Sequence, residues 1–176
     1  MQKFHNNDPF DVLAQAYETM FEHARDGFLR AENKTAGLFH ELVDEAVETA
    51  VEIDQVSRED ALALARYIKR DVGEAAAYVK STGRDLADWL GFKTTLLEME
   101  FVDSLLQSAD PTTVAWLQMK QPAQPESYHS GEVSGPGTLR CLACGQSLHF
   151  QRASRIPPCP ACHGTAFERA VATEEA

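Results

Sequence analysis

No cysteine occurs in the first 140 residues of this 176-residue chain, so neither a disulfide framework nor a metal site built on thiolates can reach across its main body. No uninterrupted apolar run approaches the roughly 18 residues of a membrane span, and the opening residues Met1 to Asp8 lack the charged, apolar and small-residue succession of a secretory leader. Positive charge is scarce. Lys and Arg number 16 against 27 Asp and Glu, a formal charge of −11. That deficit is local: residues 1–120 hold 12 basic against 22 acidic side chains, and residues 121–176 hold 4 against 5. The first 120 residues therefore repel phosphate backbones and anionic lipid. A cytoplasmic protein with a basic or neutral protein partner, no membrane contact, and weak nucleic-acid binding if any is the expectation.

Signatures of catalysis are missing too. There is no Gly-rich phosphate loop, no nucleophile elbow and no Glu-x-x-His pair of the di-iron kind. His40-Glu-Leu-Val-Asp44-Glu45 lacks the second histidine of a metalloprotease helix, so its acids read as a solvated helix face. The chain is expected not to be an enzyme.

What is present divides in two. Apolar residues recur at helical spacing through Phe10, Leu13, Tyr17, Met20, Ala24 and Phe28, then Leu38, Leu42, Ala46 and Ile53, after an Asp8-Pro9 start. Gly27, Asn33 and Gly37 make this either one bent helix or two helices broken between Gly27 and Gly37. Ser57-Arg-Glu-Asp60 caps another helix, with Leu62, Ala65, Ile68, Val72, Ala76 and Val79 on its buried face. After Gly83 the stripe resumes through Leu86, Leu90, Leu97, Phe101 and Leu105, the most apolar stretch and the candidate core or interface. Asp110-Pro111 opens a last short helix over 112–120. These elements predict a mainly α region over 1–120, an antiparallel hairpin or small bundle. Two prolines within Gln121 to Ser127 then mark a linker, so 121–137 is read as linker and lead-in, 138–170 as a small β module, and 171–176 as a tail.

The β module holds all four cysteines, as Cys141-Leu-Ala-Cys144 and Cys159-Pro-Ala-Cys162 with fourteen residues between the brackets. Each bracket offers two thiolates from one turn, and two facing turns make the four-sulfur cage that Zn²⁺ prefers. Strand-like pieces at 138–140, 147–151 and 166–170 complete a three-stranded zinc ribbon. Gly145 and Gly164 sit where the turns benefit from positive φ. Iron in a rubredoxin-like electron carrier is the alternative, although rubredoxins separate their brackets by a longer, aromatic-rich stretch. His149 and His163 lie nearby, but four sulfurs already complete the ligand set.

Arg140, Arg152 and Arg155 around Phe150 form a possible interaction surface, which would let the ribbon dock on polymerase, ribosome or nucleic acid as a regulator of transcription or translation. The competing reading makes these arginines a solvated face or partners of the acidic helices. His129 is counted with this surface as well; with Ser130 and Glu132 it sits in the lead-in, where a packing role is expected.

The stretch Tyr128-His-Ser-Gly-Glu-Val133, followed by Gly135-x-Gly137-Thr-Leu-x-Cys141 and both brackets, resembles a gamma-proteobacterial family of zinc-ribbon-containing proteins of unknown function. The likeness is dense from Tyr128 to Phe167; before residue 120 it extends to helical character and acidity. Here His163-Gly164 follows the second bracket where many members have Gly directly. The resemblance implies zinc at Cys141, Cys144, Cys159 and Cys162 and no established activity. The overall expectation is a zinc-binding, non-enzymatic protein acting through protein contact, with self-association through its helices.

Overall fold

The computed structural model describes residues 11–83, 86–90, 96–108 and 127–170. The Asp8-Pro9 start, the helix expected over 112–120, most of the 121–127 linker and the 171–176 tail lie outside the described residues. Among the described residues five helices precede six short strands: α1 (Val12–Arg30), α2 (Ala36–Glu52), α3 (Arg58–Thr82), α4 (Leu86–Leu90), α5 (Leu96–Ser108), β1 (Tyr128–His129), β2 (Val133–Ser134), β3 (Gly137–Cys141), β4 (Ser147–Phe150), β5 (Ser154–Arg155) and β6 (Ala166–Ala170).

The expected break falls at Ala31 to Thr35, so the first stripe is two helices. The Asp11 carboxylate accepts from the amides of Leu13 and Ala14 and starts α1. Thr35 does the same for α2 through Leu38 N–H, and Ser57 caps α3 through Asp60 N–H at 3.1 Å. Glu59 and Asp60 lie in the first turn of α3 and favour its positive end, and Gly83 closes it in the left-handed region at φ +66°.

α1, α2 and α3 pack on one another, and α5 lies against α1 and α3. Phe101 of α5 is the hub: its ring centroid lies 5.8, 5.7 and 5.2 Å from those of Phe21, Phe28 and Phe39. The most apolar stretch thus closes the helical core, with Phe101, Val102 and Leu105 all buried. Two stripe positions differ from the sequence reading. Leu62 is 50% exposed, because α3 turns the small residues Ala61 and Ala65, with Leu64 and Ile68, towards the core instead, and Ile53, where α2 ends, is 61% exposed.

The ribbon is larger than three strands. Expected strands β3, β4 and β6 form the order β6-β3-β4, and β1 adds to the outer edge of β6 through Tyr128↔Phe167 and His129↔Ala166. β2 and β5 form a second antiparallel pair. A two-residue strand carries no alternation to read, which is why β1, β2 and β5 were invisible in the pattern. Tyr128, Leu139, Leu148, Phe150, Ile156 and Phe167 make the ribbon core, whereas Val133 and Ala153 are buried in the helical core.

Candidate metal centre

β3 ends at Cys141, and the chain turns at once so that Cys141 N–H pairs with Gln146 C=O while Gly145 N–H donates back to Cys141 C=O. The second bracket repeats this turn: Cys159 N–H donates to Gly164 C=O and His163 N–H to Cys159 C=O. The two turns face each other. Cys141 and Cys162 Sγ are 3.6 Å apart, as are Cys144 and Cys159 Sγ, and all four sulfurs lie within 4.8 Å of one another. A tetrahedron of sulfurs about 2.3 Å from a central ion has edges of about 3.8 Å, so the cage fits a tetrathiolate metal. The same separations are far beyond a disulfide bond of about 2.05 Å.

One face of the cage is inside and the other outside: Cys141 and Cys159 are buried, Cys144 and Cys162 exposed. Burial pushes the Cys159 thiol up, but the amides of Cys162 and Ala161 donate to its sulfur and, with its thiol neighbours, bring it down to about 7. Gly164 N–H favours the Cys162 thiolate, yet hydrogen bonds with the Cys144, Cys141 and Cys159 sulfurs, together with burial, hold its proton and push that thiol up to about 12. A bound cation, which favours the thiolate form, would displace that proton.

The turn glycines divide their roles differently from the sequence reading. Gly145 takes φ +76° after the first bracket, but after the second it is His163, at φ +59°, that occupies the left-handed region. Gly164 serves close approach, since a Cβ there would sit 3.3 Å from both Cys141 and Cys162 Sγ. His149 is held on the sheet by a 2.8 Å contact between its Nδ1 and Thr138 Oγ1.

The proposed arginine surface is distributed over several contacts. Arg140 is bound to Glu168 on neighbouring β6, with Nε to Oε1 at 2.8 Å. Arg152 reaches across to Glu18 of α1 at 3.1 Å, and Arg155 to Asp11 at 3.4 Å. Phe150 is 5% exposed and belongs to the ribbon core, so it offers no ring for a base to stack on. His129 is exposed, with Nδ1 3.5 Å from Glu132 Oε1, and Ser130 Oγ donates to Pro157 C=O.

A cluster that the sequence reading missed lies where the ribbon meets α1 and α3. Asp71 of α3 is buried, at 5% exposure. Its Oδ2 accepts from Tyr17 Oη at 2.8 Å and from Gly135 N–H at 2.7 Å; its Oδ1 accepts from Tyr128 Oη at 3.0 Å and lies 3.5 Å from Arg169 Nη2. The Tyr128 hydroxyl lies 2.6 Å from Glu74 Oε2 as well, so the two carboxylates compete for its single proton, and Arg70 binds Glu132 at 2.7 Å. Both guanidinium groups stack on the Tyr128 ring, Cζ lying 3.8 Å from its centroid for Arg70 and 4.8 Å for Arg169.

Burial pushes the Tyr17 and Tyr128 phenols well up, with Asp71 adding to it, so both stay protonated donors. Burial works against the charge of Arg70 and Arg169, and the neighbouring Asp71 and Tyr128, joined by Glu132 at Arg70 and by Glu74 at Arg169, more than restore it. Burial raises the Glu74 carboxyl. The signal available in the sequence was an acid one helical turn after Ile68, on the face of a stripe otherwise apolar.

The model of the zinc-ribbon containing domain family matches residues 27–171, from late in α1 through the whole ribbon. The uncharacterized protein YbeL of Escherichia coli strain K12 is 26% identical over 129 residues, covering 73% of this chain and 79% of its own length. YbeL of strains O6:H1 and O157:H7 matches to the same extent. No solved structure matches the chain. The family match takes in α2 and α3 together with the ribbon, a longer likeness than the sequence motifs alone carry.

Proposed function

This chain belongs to the zinc-ribbon containing domain family, and on that premise we propose that it is a non-enzymatic zinc protein whose helices and ribbon together present a surface to a protein partner. Cys141, Cys144, Cys159 and Cys162 would hold one Zn²⁺, which supplies a cross-link between two turns and no reactive position, because four thiolates fill its coordination sphere. The observation that carries this reading is the clustering of four sulfurs within 4.8 Å on two matched turns. A module of some forty residues buries little apolar surface, so metal binding contributes much of its folding free energy, on the order of 10 kcal/mol.

The partner reading is supported by charge and by how the ribbon's cations are placed. Glu41, Glu45, Glu48 and Glu52 are exposed along successive turns of α2, a face suited to a basic or neutral protein surface. Arg152 and Arg155 are directed to helix acids, which speaks against a phosphate-binding ribbon face. Among the described residues the large exposed apolar side chains are Val12, Ile53, Leu62 and Leu142, and no described helix is long and apolar enough to cross a membrane.

Metal analysis of the protein purified from cells tests the first half: one zinc per chain and a colourless solution are expected, and a red, redox-active iron protein overturns it. Crosslinking the native protein in cells and identifying its neighbours tests the second. Recovery of one protein at comparable yield with or without nuclease treatment is expected; capture that nuclease abolishes favours the nucleic-acid reading.

A further inference from the structure

We propose that the Asp71 cluster is a metal-gated latch: the ribbon covers a face of α1 and α3 while its thiolates hold metal, and uncovers that face when the metal leaves. The proposal rests on the metal reading of the four cysteines and extends it to residues that ligate nothing.

The connection runs through one sheet. Cys141 ends β3 and is paired with Phe167 of β6; Leu139 is paired with Arg169; Tyr128 of β1 is paired with Phe167 from the other side. The strand that ends in a thiolate, β3, is therefore paired with β6, which carries Arg169, and β6 with β1, which carries Tyr128; these are the two side chains that the ribbon sends to Asp71 and Glu74. Gly135 brings its backbone against the same acid, so closely that a Cβ would fall 2.8 Å from Tyr17 Oη. Gly137 likewise leaves room for Arg169, whose Nη1 would lie 2.5 Å from a Cβ at that position.

The cover is matched in charge. The ribbon brings Arg169 to Asp71 and Glu74, and Glu132 to Arg70. A sheet this small holds its strands only while the thiolates are cross-linked. When the sheet melts, Asp71 loses Tyr128, Arg169 and Gly135 together, whereas Tyr17 and Arg70 stay on the helices. The Phe21, Phe28, Phe39 and Phe101 core is built without the ribbon, so the helices have their own reason to persist. Metal loss then uncovers Asp71 and Glu74, together with the apolar contacts that Val133 and Ala153 make, rather than unfolding the chain. Linkage makes the relation reciprocal: whatever the latch contributes to docking returns as tighter metal binding.

Two measurements on the full-length chain decide it. The first is nitration of tyrosines by tetranitromethane, mapped by mass spectrometry, with and without a zinc chelator under reducing conditions, alongside far-ultraviolet circular dichroism. Tyr17 should go from protected to at least about tenfold more reactive on chelation while most helical signal remains. Tyr17 protected in both states, or helical signal collapsing with Tyr17 exposure, overturns the proposal. The second is zinc affinity by competition with a chromophoric chelator in Asp71→Asn and Arg169→Gln. Each should bind one zinc with affinity lowered about tenfold or more, although neither residue touches the metal. Unchanged affinity in folded variants sinks the latch. Should either variant not fold, the nitration result on the unaltered chain decides alone.

Discussion

The Tyr17 hydroxyl donates to Asp71 Oδ2 across 2.8 Å, tying α1 to α3 at the same oxygen that receives the Gly135 amide from the ribbon at 2.7 Å. One carboxylate thus holds three parts of the chain. Its charge is tolerated because Arg169 and Arg70 stand beside it, and its lone pairs are filled by two phenols and an amide. A buried ion that is paired and hydrogen-bonded adds orientation to a contact that apolar packing alone would leave loose.

Replacing Asp71 should therefore cost far more than replacing any one of its donors. Asp71→Asn keeps the shape but leaves two buried guanidinium groups short of an anion, at a cost of about 3 kcal/mol in denaturant unfolding of the zinc-loaded protein. Tyr17→Phe removes one donor from an oxygen that still has Gly135, and should cost about 1 kcal/mol. A loss for Asp71→Asn no larger than for Tyr17→Phe would mean that the carboxylate is an ordinary acceptor.

The two parts of the fold were legible to different degrees, for physical reasons. Ser57 with Asp60, and the apolar series around Phe28 and Phe101, write their helices locally, since capping and periodicity need only neighbours in sequence. The four thiolates were legible because spacing and chemistry coincide. Tyr128 was not: its ring belongs to the ribbon core and its hydroxyl to α3, 57 residues from Asp71 in sequence, and nothing local announces a pairing of that range. Within the lead-in, where a packing role is expected, β1 and β2 are strands and Val133 is packed in the helical core. Phe150 was misplaced because an aromatic beside arginines looks the same in sequence whether its ring faces in or out.

The turn after the second bracket gives a prediction of opposite signs at adjacent positions. His163 holds φ +59°, which a side chain resists and glycine does not. His163→Gly should leave zinc stoichiometry unchanged and stabilise the ribbon by about 0.5–1 kcal/mol. Gly164→Ala should do the reverse, because its Cβ would press on two ligand sulfurs at 3.3 Å. Competition with a chelator should show weaker zinc binding in Gly164→Ala; equal affinity for both variants would show that the cage yields easily.

Glu74 supplies a pH signature. Burial raises its carboxyl in the folded chain, beside Asp71, Arg70, Arg169 and Tyr128. Between its ordinary value and the raised one, the folded state therefore binds the proton more than the unfolded chain does. Stability from this group is present below the ordinary value, and declines as pH rises through the raised one. Glu74→Gln keeps an acceptor for the Tyr128 hydroxyl and removes the titration. The difference in stability between variant and parent, both saturated with zinc, should move in favour of the variant as pH rises through this window. A difference independent of pH would remove Glu74 from the linkage.

Metal affinity should itself follow pH, in the opposite sense. Four thiolates are needed, and in the cage without metal the Cys162 thiol, pushed up to about 12 by its sulfur neighbours, keeps its proton at neutral pH. Zinc must expel that proton, so affinity should fall by at least about tenfold for each pH unit of acidification. Below about 7 the Cys159 thiol takes up a proton as well, which steepens the fall. Competition with a chelator of known proton dependence, run between about pH 6 and about pH 8, reads the slope directly. Cys162→Ser removes the ligand with the highest proton affinity and should both weaken zinc binding and flatten this dependence. A parent protein whose affinity ignores pH would mean that the metal-free cage holds no thiol proton to expel, that of Cys162 included, because every thiol that binds the metal must first give up its proton.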